Sequence, residues 1–399
     1  MKTPICEMLG IDIPLLAFSH CRDVVAAVTN AGGFGVLGAS FHTPEELEQE
    51  LAWIDEQVNG RPYGADILVP EKYEGKGEDL GSTALMARVP RAHREFVRGV
   101  LARNGVELTD EELTRFSAGG IDDGAGEQLL EVAFRHPIKL VANALGVPPA
   151  YMIDRAKAAG VPIAALVGAK EHAIKQVRAG VDIIIAQGTE AGGHCGEVTT
   201  MVLVPEVIEA IRPIREVPVL AAGGIVTGRQ MAAAIALGAA GAWTGSVWLT
   251  TEEAETAPYT VQKMLAASAR DTVRSTSRTG KPSRQLRSAW TEAWDNAGGG
   301  SGGSPGSGLG GGLGDGLGDG ASSPGTLPMP LQSYLSEPAL RRIDVLAEKG
   351  DPGAQALATY WVGQGVGLMT KVKPARQVVL EMAEDFIEAA GRLQSALED

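Results

Sequence analysis

Cysteine, aromatic side chains, positive charge and long apolar runs are all scarce in this 399-residue chain. The three cysteines, Cys6, Cys21 and Cys195, stand far apart, which excludes a disulfide framework and any CxxC metal knuckle. Six histidines add no ligand-like spacing, so no metal is expected. Aromatics make up 5 % of the residues, and 35 Lys and Arg face 49 Asp and Glu, for a formal charge of −14. An acidic chain without a basic run has no grip on a nucleic-acid backbone. No stretch approaches the ~20 apolar residues of a membrane helix. The opening MKTPICEMLG lacks the apolar core of a secretory signal, so the expected location is the cytoplasm.

Glycine is abundant, with 52 residues, and unevenly spread. Segment 298–325 has glycine at 15 of its 28 positions. Such a segment cannot bury enough apolar surface to offset its conformational entropy, and a disordered linker is expected there. It divides the chain into an expected domain over 1–297 and a helical extension over 326–399. The remaining glycines belong to folded turns, where their positions carry information.

Short apolar runs alternate with helical patterns. Strands are expected at Pro14–Ser19, Phe34–Ala39, Gly64–Val69, Lys139–Leu145, Pro162–Val167, Asp182–Gln187, Pro218–Ala222 and Ala242–Leu249. They are nearly continuous in hydrophobicity, as parallel strands covered on both faces should be. Helices are expected at Cys21–Asn30, Thr43–Val58, Pro149–Ala159, Lys170–Ala179, Val202–Ile211 and Gly228–Leu237. Thr43-Pro44-Glu45-Glu46 reads as an N-cap, a proline at the first helical position and acids at the positive helix end. Eight βα units in this length fit a closed (β/α)8 TIM barrel, with an open doubly wound sheet as the alternative. Residues 71–124 form an insertion after strand three, on the face where barrel sites lie. Lid and surface decoration are both open readings. The extension is read as helices at Leu335–Glu348, Gly353–Gly363 and Lys373–Glu398.

Chemistry concentrates in the loop after strand six, Gln187-Gly188-Thr189-Glu190-Ala191-Gly192-Gly193-His194-Cys195. Gln187 both donates and accepts hydrogen bonds, which suits a planar ring with mixed polar edges. Gly192 and Gly193 permit close backbone approach. His194 is the candidate catalytic acid–base, since an imidazole titrates near neutrality. A structural loop histidine is the bland reading. Gly223 and Gly224 end strand seven, and Gly245 and Ser246 follow on strand eight. Barrels hold phosphate after those two strands, with backbone N–H groups. A phosphate there and a Gln on strand six are what FMN requires.

These blocks resemble the nitronate monooxygenase family of FMN-dependent (β/α)8 barrels, which also includes NADH:quinone and enoyl-thioester reductases. Asn30 through Gly35, Gln187 through His194, Ala221 through Ile225, Gly245-Ser246 and Thr279 through Arg284 carry the likeness. The resemblance implies that His194 takes the α-proton of a nitroalkane or lies over the flavin. It departs at strand one, where Phe18, Ser19 and His20 replace a Pro-Met pair that contacts the flavin. On strand three, Asp66 takes the place of an Asn, which would put a carboxylate near the flavin. Strand five ends without the family's usual Thr or Ser. The implied reaction converts nitronates or nitroalkanes with O2 into a carbonyl compound and nitrite. One alternative is an NAD(P)H-dependent reductase of a quinone or enoyl thioester. Another is a non-catalytic barrel that binds a phosphate ligand. The partners expected are a small-molecule substrate, O2 or NAD(P)H, and a second copy in a homodimer, with neither nucleic acid nor membrane.

Overall fold

Eight parallel strands hydrogen-bond in sequence, and the last pairs with the first, closing a barrel. The computed structural model describes residues 1–40, 42–69, 71, 82–114, 123–295 and 323–397. The strands are β1 (Leu15–Ser19), β2 (Phe34–Gly38), β3 (Gly64–Asp66), β4 (Val141–Asn143), β5 (Ile163–Val167), β6 (Ile183–Gln187), β7 (Val219–Ala222) and β8 (Gly241–Thr244). The expected (β/α)8 barrel is therefore present, and the open sheet is excluded. One strand differs sharply from expectation. The apolar run Ala242–Leu249 is not one strand: β8 stops at Thr244, and Ser246–Thr250 winds into a 3-10 helix. Hydrophobicity alone does not separate these two forms, because both bury Trp248.

Alternation along the strands sends one set of side chains inward. Leu16, Phe34, Val36, Leu140, Ala142, Ile183, Ile185, Leu220 and Trp243 fill the barrel. The helix Pro4–Leu9 adds Ile5, Cys6 and Leu9 to that same core. The outward set meets the surrounding helices, whose starts follow the local chemistry. Thr43 and Glu46 form a reciprocal cap, with Thr43 N–H donating to Glu46 Oε2 at 2.8 Å and Glu46 N–H to Thr43 Oγ1 at 3.2 Å. Thr227 and Gln230 repeat the device at the helix Gly228–Ala236.

The eighth helix of the ring comes from the far end of the chain. Helix Ala375–Ser395 lies against both Gly228–Ala236 and Arg22–Asn30, between the seventh and first positions. Asp385 Oδ2 accepts the Arg229 backbone N–H at 2.7 Å and satisfies a free donor at that helix start. Helix Leu331–Glu348 builds a second core with the helix Arg91–Arg103 and with Trp290 and Trp294. The described helices of the insertion thus rest on the C-terminal segment. The Gly-rich stretch 298–322 lies outside the described residues, as does 72–81. Among the described residues, no helix is long and apolar enough to cross a membrane, and no His, Cys, Asp and Glu cluster suits a metal ion.

Candidate active site

At the C-terminal ends of the strands, the inward register places Phe18, Gly38, Asp66 and Gln187 one step beyond the apolar fill. Phe18 stacks on Trp243 at 6.2 Å and meets His20 edge-on at 5.1 Å. His20 Nδ1 lies 3.0 Å from Gly38 O. Ser19 points the other way, and its Oγ accepts the Cys21 N–H at 3.1 Å, at the start of the first barrel helix.

Asp66 is buried, with no hydrogen-bond donor reaching its carboxyl among the described residues. Burial alone raises it to about 7. An unfolded Asp titrates near 3.9, so the native state holds an extra proton between those values, and stability falls as pH rises through that window. Asp66→Asn in the ligand-free protein should be more stable than wild type at pH 8, by on the order of 2 kcal/mol, and equal to it below pH 4. Urea denaturation at the two pH values measures this, and identical midpoints at pH 8 would mean the carboxylate is solvated.

The β7 end turns on two left-handed residues in succession, Gly223 (φ 109°) and Gly224 (φ 73°), a conformation that a side chain would strain. Thr200 Oγ1 ties this turn to the β6 loop, lying 3.0 Å from Gly223 O and 3.0 Å from Glu190 Oε2. Among the described residues, the backbone N–H groups of Gly224, Gly245 and Ser246 find no acceptor. Free N–H groups from two adjacent strand ends suit an anion.

His194 occupies a short strand, Gly193–His194, that pairs antiparallel with Ser283–Leu286, itself the partner of Thr272–Ser275. Its Nε2 shares a 2.8 Å hydrogen bond with Thr279 Oγ1. Burial, followed by the nearby Lys281 and Arg278 cations, lowers its pKa to about 4, so the imidazole is neutral at pH 7. Arg284 secures the loop by donating Nε–H to Thr189 O at 2.7 Å. Burial pushes the adjacent Cys195 thiol up, and it stays protonated.

A segment absent from the sequence-derived site runs through its centre. Residues 361–366 cross the ends of β6, β7 and β8. Gln364 N–H donates to Glu190 O at 2.8 Å, and Gly363 N–H to Ser246 Oγ at 2.8 Å. A Cβ on Gly192 would lie 2.8 Å from Gly363 N, so the two backbones touch only because both are glycine. Trp361 stands with its ring 5.9 Å from His194. The signal available is the run Gly363-Gln364-Gly365-Val366-Gly367, a glycine-rich stretch that begins where the helix expected at Gly353–Gly363 stops and suits close backbone approach; that helix ends at Leu357.

The nitronate monooxygenase family model matches residues 18–385. A Mycobacterium tuberculosis protein named "Putative monooxygenase Rv1533" is 52 % identical over the full length of both chains. A Staphylococcus aureus protein named "Probable nitronate monooxygenase" is 27 % identical over 73 % of this chain and 80 % of its own. A solved structure, the nitroalkane oxidase of Streptomyces ansochromogenes, superposes with a TM-score of 0.73 at 26 % identity, over 98 % of this chain and 99 % of that one. Barrel, loop chemistry and likeness along almost the whole length agree: the chain is an oxidoreductase that belongs to the nitronate monooxygenase family.

Proposed function

We propose that the chain binds FMN at the ends of β6, β7 and β8 and oxidises alkyl nitronates with O2 to a carbonyl compound and nitrite. The supporting observation is the row of N–H groups without acceptors at Gly224, Gly245 and Ser246, on the barrel end that also carries Gln187, Asp66 and His194. The residues fit the cofactor. Gly223, Gly224, Gly245 and Ser246 would hold its phosphate, and Gln187, Asp66, Gly192, Gly193, Phe18 and the Ser19 backbone would border the ring. When bound, FMN supplies the electron transfer.

The chain's own residues set the charge of the substrate. Lys281 stands near His194, and Arg278, though paired with Glu337, adds to the positive potential there, which favours an anionic nitronate over a neutral nitroalkane. Thr279 Oγ1 lies 3.3 Å from Lys281 O, to which its hydroxyl donates. That leaves the Thr279 oxygen to accept His194 Nε2–H, and Nδ1 is then free to take a proton from a nitroalkane. A base with so low a pKa is weak, so this route is slow.

Equilibrium dialysis of the apoprotein tests the cofactor reading. FMN should bind at least about 100-fold tighter than riboflavin, which lacks the phosphate. Equal affinities, or a colourless protein that takes up neither, would contradict it.

A further inference from the structure

Arg278 is buried, and Glu337, on the helix Leu331–Glu348, accepts Nε–H at 2.9 Å and Nη2–H at 3.3 Å. The guanidinium carbon lies 4.3 Å from the centre of the Trp361 ring. Trp361 donates Nε1–H to Ser283 Oγ at 3.2 Å, and Ser283 is the register partner of His194. Thr279, the partner of His194 Nε2, is the residue after Arg278. One continuous set of contacts therefore runs from a C-terminal helix to the imidazole.

We propose that Arg278, anchored by Glu337, is a positioning residue that clamps Trp361 beside His194 and fixes the imidazole in one orientation. A bidentate carboxylate pair locks the plane of the guanidinium, and a flat guanidinium can lie against an indole face where an ammonium cannot. Lysine offers neither a fork nor a flat face. An arginine buried without its carboxylate would carry an uncompensated charge, so Glu337 is required for the clamp. Among the described residues, Lys281, on the same turn, is the other cation acting on the imidazole, while Arg284, Arg274 and Glu190 act on the adjacent Cys195. The inference rests on His194 lying in the reaction site proposed above.

Proton–nitrogen NMR with 15N-labelled histidine reads the imidazole directly, and loss of a signal in His194→Gln assigns it. Wild type should show one neutral tautomer of His194 throughout about pH 6–8. Arg278→Lys keeps the charge and should give a mixture of tautomers. It should also lower nitroalkane kcat by about tenfold to a hundredfold, with KM changed less, and change nitronate kcat far less. Glu337→Gln removes the carboxylate that anchors Arg278 and should produce the same spectral change. It serves alone if Arg278→Lys does not fold. An unaltered His194 spectrum in the folded variants would overturn the proposal. Altered spectra in a protein that turns over no nitronate would leave the clamp standing and refute the proposed function instead.

Discussion

Ending the chain at residue 325 is expected to abolish the folded barrel, leaving no cooperative thermal transition by circular dichroism. The missing segment carries the eighth helix of the ring and one side of the second core. Leu335, Leu340, Ile343, Leu357, Val362, Val366, Val379 and Met382 are buried in the whole protein and would be lost together. Each such side chain contributes about 1.5–3 kcal/mol, and a whole domain is stable by only about 5–15 kcal/mol. A single methyl group tests the same contact. A Cβ on Gly228 would lie 1.8 Å from Met382 O and 2.5 Å from Phe386 N, so helix Ala375–Ser395 could not seat. Gly228→Ala should cost about 3 kcal/mol or more. A truncated protein that melts cooperatively near the wild-type temperature would show that the extension is dispensable.

His194→Asn should separate two substrate forms. A neutral nitroalkane needs a base, and losing one costs about 10²–10⁴-fold in kcat/KM. A nitronate arrives already deprotonated and should lose far less. With the imidazole pKa near 4, nitroalkane kcat/KM in the wild type should hold down to that pH instead of falling near 6.5. The same burial has an opposite consequence for stability. The unfolded chain takes up the histidine proton near 6.5 and the native state only near 4, so this contribution to stability is lost as pH falls through that window. His194→Asn should be correspondingly less sensitive to acid in urea denaturation. Equal losses on both substrates would remove proton abstraction from the role of His194.

Local chemistry made much of the barrel legible. The N-cap at Thr43, the proline and acids that follow it and the apolar runs each act within a few residues, and the structure follows them. Gly223 and Gly224 were legible for the same reason: their positive φ is a local demand. What could not be read was contact between distant segments. His194 pairs with Ser283, Gly192 touches Gly363, and Arg278 meets Glu337. No periodicity encodes such partners. The eighth helix was expected at 373–398 from its own amphipathic pattern, but nothing in that pattern says it belongs between the first and seventh helices. The short run at Ser246 misled because a 3-10 turn and a strand bury the same apolar residues.

Oxygen uptake by the FMN-loaded protein with ethylnitronate, in the absence of NAD(P)H, tests the proposed reaction most directly. The expected result is uptake with release of nitrite, and a kcat/KM for the nitronate at least about tenfold above that for nitroethane at pH 7. No uptake with the nitronate, together with anaerobic bleaching of the flavin by NADH or NADPH, would contradict it and identify a reductase.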